Sequence, residues 1–171
     1  FYILDSLSTF GDSLFMREVK RNKILYGGNL NDFGLPFSGM NVENRKRISL
    51  ANNFKSKYIM LEFWGTWCGP CKEIMPQLRE FYANVNKKKI EFLGVAFRSE
   101  NDDVLNYIND NKILWPQIID KLPLSTIVKS YKVSAYPTYI LLNENRKIIF
   151  RSVGIEGFQK MKEFILKLSI D

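Results

Sequence analysis

The 171-residue chain has no histidine and only two cysteines, and these shortages remove most common site chemistries before any pattern is sought. Without imidazole there is no Cys-His dyad, no Ser-His-Asp triad and no histidine metal ligand. Two cysteines alone do not build a structural zinc site, which takes four ligands. Lys72 follows Cys71 where a haem-attachment motif carries histidine, so covalent haem is excluded as well. No apolar run reaches about 18 residues, the length that marks a membrane span, and the chain has no internal repeats. Thiol redox chemistry is what these absences leave.

The composition is that of a packed domain: 46% hydrophobic and 14% aromatic, in a chain long enough for one real core. The net charge of +7 is spread along the chain, and its densest runs are Arg45-Lys46-Arg47 and Lys87-Lys88-Lys89. Neither is long enough to indicate nucleic acid, and both read as solvated charge. The lysines at 87–89 are also expected near a helix C-terminus, where cations suit the dipole. The chain begins at Phe1-Tyr2-Ile3-Leu4 without a methionine. It is therefore expected to be trimmed from a longer chain, with any signal peptide or anchor lying ahead of it.

Residues 1–33 form an expected N-terminal extension. Ile3, Leu7, Phe10 and Leu14 step by three or four, as in an amphipathic helix interrupted at Gly11. The segment reads as a cap on the main domain or, alternatively, as a partner-binding segment. The main domain is expected over 34–171. Two short strands around residues 36–40 and 48–50 suggest a hairpin. Tyr58 to Trp64 is apolar except for Glu62 and fits a strand buried on both faces. Ile74, Met75, Leu78, Phe81, Tyr82 and Val85 then mark a helix that opens at Pro70 and Cys71, runs to about Asn86 and is expected to kink near Lys72 because of Pro76. A second buried strand is expected over 90–97. A helix over 99–112 follows, with Ser99 as its N-cap, and then an extended piece from Trp115-Pro116. A short helix is expected over 124–131, then a hairpin of residues 137–142 and 147–150. Gly154 and Gly157 are expected to precede a final amphipathic helix. This order gives an α/β domain, a central mixed β-sheet with helices on both faces.

Both cysteines fall in Phe63-Trp64-Gly65-Thr66-Trp67-Cys68-Gly69-Pro70-Cys71. Two thiols at this spacing can close and reopen a disulfide within one turn. With Pro76 five residues after Cys71, and Tyr136-Pro137-Thr138 opening a later strand, the sequence resembles the thioredoxin fold. The short early strands and the insertion around residues 90–120 resemble the branch of extracytoplasmic thiol-disulfide oxidoreductases typified by TlpA and ResA. The resemblance covers about residues 34–171.

It implies two unequal sulfurs. Cys68, just ahead of the helix, sits where the dipole favours a thiolate and is expected to attack. Cys71 is expected to lie deeper and to resolve the mixed disulfide. Gly69 and Pro70 shape the turn between them. A static structural disulfide is the competing reading. Glu62, six residues before Cys68, stands where thioredoxins carry a buried acid. Desolvation there would raise its pKa and suit it to take the Cys71 proton; partial solvation, or a salt bridge to a lysine, is the alternative. ResA-like members carry a glutamate three residues after the second cysteine, where this chain has Ile74, and Glu73 does not substitute for it. The resemblance also implies a cis Tyr136-Pro137 bond against the sulfurs, with the Tyr136 backbone available to a substrate strand. Trp67 is expected on the substrate-facing surface and Trp64 in the core.

The expected function is that of a thiol-disulfide oxidoreductase that reduces protein disulfides. Its only redox group is the Cys68-Cys71 pair, with no bound cofactor or metal. Its partners are disulfide-containing protein substrates and an upstream protein electron donor, not nucleic acid. Its expected location is outside the cytoplasm, periplasmic or membrane-anchored facing out, with the cytoplasm as the alternative. Competing functions are a thiol peroxidase of the same fold and a redox-switched binding module.

Overall fold

The computed structural model describes residues 33–121 and 126–168. Residues 1–32 of the expected N-terminal extension, the start of the expected short helix at 124–125 and residues 169–171 lie outside them. A hairpin of β1 (Ser38–Met40) and β2 (Arg47–Ser49) comes first. Then follow β3 (Tyr58–Trp64), α1 (Gly69–Asn84), β4 (Ile90–Phe97), α2 (Asn101–Asp110), β5 (Gln117–Asp120), α3 (Thr126–Ser130), β6 (Thr138–Leu142), β7 (Ile148–Val153) and α4 (Gly154–Leu168).

β3 is the middle of a five-stranded sheet ordered β5-β4-β3-β6-β7. It pairs in parallel with β4 and antiparallel with β6, so the sheet is mixed. Side chains alternate along a strand, and β3 therefore feeds two cores. Ile59, Leu61 and Phe63 pack with Ile127 and Val128 of α3, with Phe37 just before β1 and with Ile48 of β2. Met60 and Trp64 pack with Ile74 and Leu78 of α1, Val104 and Ile108 of α2, and Phe158 and Met161 of α4. Glu62 shares that second face, the one α1 covers.

Three boundaries differ from the sequence expectation, each for a tertiary reason. Ser99 does not cap α2; Glu100 holds the N-cap position without a side-chain bond. The Ser99 hydroxyl is instead engaged by the turn before Cys68, accepting from the Thr66 amide at 3.0 Å and donating to the Phe97 carbonyl at 3.1 Å. α4 begins at Gly154, not after Gly157, and β7 runs directly into it at Val153. The reversal rests on Gly154 at φ +79°, a conformation glycine adopts without a Cβ penalty. Gly157 lies within the helix, where a Cβ would stand 3.1 Å from the Ser152 Cβ. Finally, α1 ends at Asn84, so the lysines at 87–89 lie past it. Lys87 alone reaches back, donating to the Ala83 carbonyl at 3.3 Å and covering the Tyr82 ring.

Candidate active site

The turn between β3 and α1 is built so that Cys68 becomes the N-cap of α1. The Cys68 amide donates to the Gly65 carbonyl at 3.0 Å, its backbone is extended, and Pro70 occupies the first helical turn. Proline fits there because the amide it lacks has no helical acceptor. The Cys71 amide donates to the Cys68 sulfur at 3.2 Å. The two cysteines form a disulfide, with Cα atoms 5.3 Å apart. Their surroundings differ: Cys68 keeps 4% of its surface exposed and Cys71 none. A Cβ on Gly69 would meet nothing within 4 Å, so the approach to the pair is open on that side.

Trp67, 51% exposed, flanks Cys68. Its indole N–H donates to the Phe97 carbonyl at 2.8 Å, and the ring lies so close over Gly65 that a Cβ there would come within 2.6 Å of Nε1. Tyr136 packs edge-on against Trp67 at 5.2 Å and stacks on Phe97 at 5.6 Å. These three rings form one wall of an open cleft of about 730 Å³, completed by Arg98, Val128, Val133 and Ser134. Partial burial and the negative Asp120 push the Tyr136 phenol up to about 12, with Arg98 opposing. The Tyr136-Pro137 bond is cis. The ladder between β6 and β3 stops at Thr138 and Phe63, which leaves Tyr136 beyond the paired strands.

Glu62 lies on the inner side of the site, 1% exposed. Its Oε2 accepts from the Trp115 indole at 3.2 Å; Oε1 is buried without a partner. Burial raises its pKa from 4.5 to about 8, and the Trp115 bond offsets only part of that. The salt-bridged alternative is not what the structure holds: among the described residues the ion pair is Lys121 with Glu100, on the surface. Trp64 is fully buried and its indole donates to Gln117 Oε1 at 2.8 Å. Gln117 Nε2 donates in turn to the Trp115 carbonyl at 3.4 Å. Gly94 makes room for that amide, since a Cβ would stand 1.8 Å from Gln117 Oε1.

The structure therefore buries Glu62, Cys71 and Pro137, leaves Cys68 with 4% of its surface exposed, and sets Trp67, Gly69, Pro70 and Tyr136 further out. Sequence reasoning missed Gly94, Trp115, Gln117 and Tyr139, which surround Glu62. One signal was present: a lone glycine inside an apolar strand often marks a close approach. Ile74 is fully buried in the α1 core, so no second carboxylate enters from that position. Among the described residues no cluster of three or more metal-ligating side chains occurs.

A family model described as thioredoxin-like matches residues 55–148. The thiol-disulfide oxidoreductase ResA of Bacillus thuringiensis subsp. konkukian is 32% identical over 124 residues, which is 72% of this chain and 70% of that protein. Among solved structures, StoA from Bacillus subtilis is 26% identical with a TM-score of 0.64, covering 78% of this chain and 98% of its own. A thiol-disulfide oxidoreductase from Bacteroides fragilis is 28% identical with a TM-score of 0.63, covering 77% of this chain and 98% of that one.

Proposed function

This chain belongs to the thioredoxin-like family and is a thiol-disulfide oxidoreductase, and from that premise we propose that it reduces protein disulfides with Cys68 as attacking and Cys71 as resolving sulfur. The observation that carries this assignment is the inequality of the sulfurs. Cys68 caps α1 beside an exposed aromatic cleft, whereas Cys71 is fully buried on the face of β3 that holds Glu62.

In the reduced enzyme the Cys68 thiolate, stabilised by the helix N-terminus, attacks a substrate disulfide. A mixed disulfide forms and one substrate thiolate leaves. Glu62 accepts the Cys71 proton, and the Cys71 thiolate attacks the Cys68 sulfur. The Cys68-Cys71 bond forms, the mixed disulfide breaks, and the second substrate thiolate leaves. Two electrons have moved from enzyme to substrate. A pKa near 8 keeps Glu62 mostly protonated at neutral pH, and it is the ionised fraction, about a tenth, that accepts the Cys71 proton.

Each turnover leaves the enzyme oxidised, so a second protein must return two electrons to it. The Gly69-Pro70 pair, without histidine, supports the reducing direction. The resemblance to the TlpA and ResA branch supports a location outside the cytoplasm. The aromatic wall of Trp67, Tyr136 and Phe97 supports a polypeptide substrate, because such rings provide contact area with little loss of side-chain freedom.

Trapping tests the assignment. Cys71→Ser, expressed in its native host, is expected to accumulate mixed disulfides on Cys68 that mass spectrometry identifies as disulfide-bonded proteins. Full biological activity in a Cys68→Ser, Cys71→Ser double variant would refute catalysis as the function.

A further inference from the structure

The segment that leaves β4 is tied to the turn ahead of Cys68. The Phe97 carbonyl accepts from the Trp67 indole at 2.8 Å. The Ser99 hydroxyl accepts from the Thr66 amide at 3.0 Å and from the Thr66 hydroxyl at 3.2 Å, and donates to the same Phe97 carbonyl at 3.1 Å. Ser99 is 3% exposed, so the tie lies under the surface. Arg98 stands between these two held residues, at φ +48°. That conformation is uncommon for a residue with a Cβ and persists where the surroundings fix the chain on both sides. Arg98 is exposed, and its guanidinium lies over the Phe97 ring, 5.1 Å from the centroid.

The aromatic wall therefore ends in a cation. Trp67, Tyr136 and Phe97 form a row of touching rings with centroids 5.2 and 5.6 Å apart, and Arg98 continues it. Among the described residues that line the cleft, Arg98 is the only charged one; Val128, Val133 and Ser134 complete the lining. Two acids lie in the neighbourhood, and each is engaged elsewhere. Asp120, which with burial raises the Tyr136 phenol while Arg98 opposes it, is 5% exposed and accepts the Val128 amide at 2.8 Å. Glu100, on the far side of Arg98, pairs with Lys121 at 2.9 Å.

We propose that Arg98 is a specificity-determining residue of the cleft, selecting polypeptide disulfides that carry an aspartate or glutamate within about five residues of the cysteine that Cys68 attacks. This rests on the reading of the cleft as a polypeptide site and names the substrate class that it favours. The reach comes from the row itself. Trp67 adjoins Cys68, and three steps of 5.1 to 5.6 Å lead from its ring to the guanidinium. An extended segment rises about 3.3 Å per residue, so about five residues cover the row even if it is straight. A guanidinium lying over a ring keeps its N–H edge available to a planar acceptor, and a carboxylate matches that edge. Arg98 takes no part in the electron movement: the Cys68 thiolate attacks the substrate sulfur, the mixed disulfide forms, the substrate disulfide breaks and the other thiolate leaves.

The test follows formation of the mixed disulfide in reduced Cys71→Ser, which stops after that first step. The substrates are peptides with one cysteine, capped as a disulfide with mercaptoethanol, and one glutamate placed either about three or about ten extended residues from it. All other side chains are neutral. Both peptides then have the same net charge, so the protein's net charge of +7 attracts them alike. Mass spectrometry of quenched samples gives the rate of peptide capture on Cys68.

The near glutamate is expected to give capture about threefold to fivefold faster than the distant one, the effect of one exposed ion pair. The preference should vanish at about 1 M salt, where charges are screened within about 3 Å. Arg98→Gln should bring the ratio close to one, Arg98→Lys should keep most of it, and Arg98→Glu should invert it. Equal rates for the two peptides with Arg98 in place overturn the proposal, and so does a preference that survives in Arg98→Gln. The polypeptide reading is judged separately, against the small neutral hydroxyethyl disulfide. Peptides captured faster than that reagent but without regard to glutamate position would uphold the polypeptide site and refute the role of Arg98. Peptides captured no faster than the reagent, yet still ranked by glutamate position, would refute the aromatic docking and uphold Arg98.

Discussion

Replacing Glu62 by glutamine should make the oxidised protein more stable, and increasingly so as the pH rises. In the folded chain burial holds the carboxyl at a pKa of about 8, against 4.5 when exposed. Below pH 4.5 both states carry the proton and the residue contributes no pH dependence. Between the two values the unfolded chain releases its proton while the folded chain keeps it, so stability falls with rising pH; above about 8 both have released it and the loss levels off. The separation is about 3.5 pH units, each worth about 1.4 kcal/mol, or about 5 kcal/mol in full and about 3 kcal/mol at pH 7. Domains of this size are stable by only about 5–15 kcal/mol, so the effect is large. Glutamine preserves the shape, its carbonyl can accept from Trp115, and its amide can reach the side that Oε1 now occupies. Urea unfolding of both oxidised proteins from pH 4 to 9 measures the difference. The two stability curves should coincide in slope near pH 4 and diverge steadily to about pH 8. Parallel curves across that range would refute the burial argument, because they would mean that Glu62 ionises in the folded state as readily as in the unfolded one.

Gly94→Ala should destabilise the fold by about 3 kcal/mol, combining overpacking with the loss of the buried Trp64–Gln117 bond, because the new Cβ would stand 1.8 Å from Gln117 Oε1. Thermal unfolding would show it as a fall of about 10 °C, and an unchanged melting temperature would mean that Gln117 has somewhere else to go. Trp67→Ala should reduce kcat/KM towards a disulfide-bonded protein by about tenfold, as expected for an aromatic anchor, and leave reduction of a small aromatic disulfide reagent within about twofold. Equal losses on both substrates would place the effect on Cys68 and not on docking.

The parts of the fold that could be read from the sequence are those whose signal is local. β3 and β4 are continuous apolar runs, and α1 shows its period in Ile74, Met75, Leu78 and Phe81. The site was legible for the same reason at Cys68 and Cys71, and at Glu62 because one carboxylate stands in an otherwise apolar strand. What escaped depends on register between distant segments. Trp115 lies 53 residues from the Glu62 it bonds, and Gln117 lies 53 from Trp64. Ser99 has the chemistry of an N-cap and is placed where one belongs, yet the turn at Thr66 claims its hydroxyl first. Local preference is a weak prior, and a tertiary bond of ordinary strength is enough to override it.

The site divides into two halves that meet at the disulfide. Trp67, Phe97 and Tyr136 lie on the outside, where they can meet a polypeptide but touch nothing that titrates near neutrality. Glu62, Trp115 and Tyr139 lie on the inside, closed to a substrate, and burial brings the Glu62 carboxyl to a pKa of about 8. Cys68 belongs to the first half by its exposure and Cys71 to the second by its burial. Changes to the outer residues should therefore alter which disulfides are reduced and leave the pH profile in place. Changes to the inner residues should move the profile for every substrate alike. The burial that raises the Glu62 pKa is the same burial that lowers stability above pH 4.5. An inner variant that moves the profile towards lower pH must then stabilise the folded protein at pH 7, and the two shifts should scale with one another across a series of substitutions at Trp115 and Tyr139, after each variant's pH-independent change in packing, read at pH 4, is subtracted.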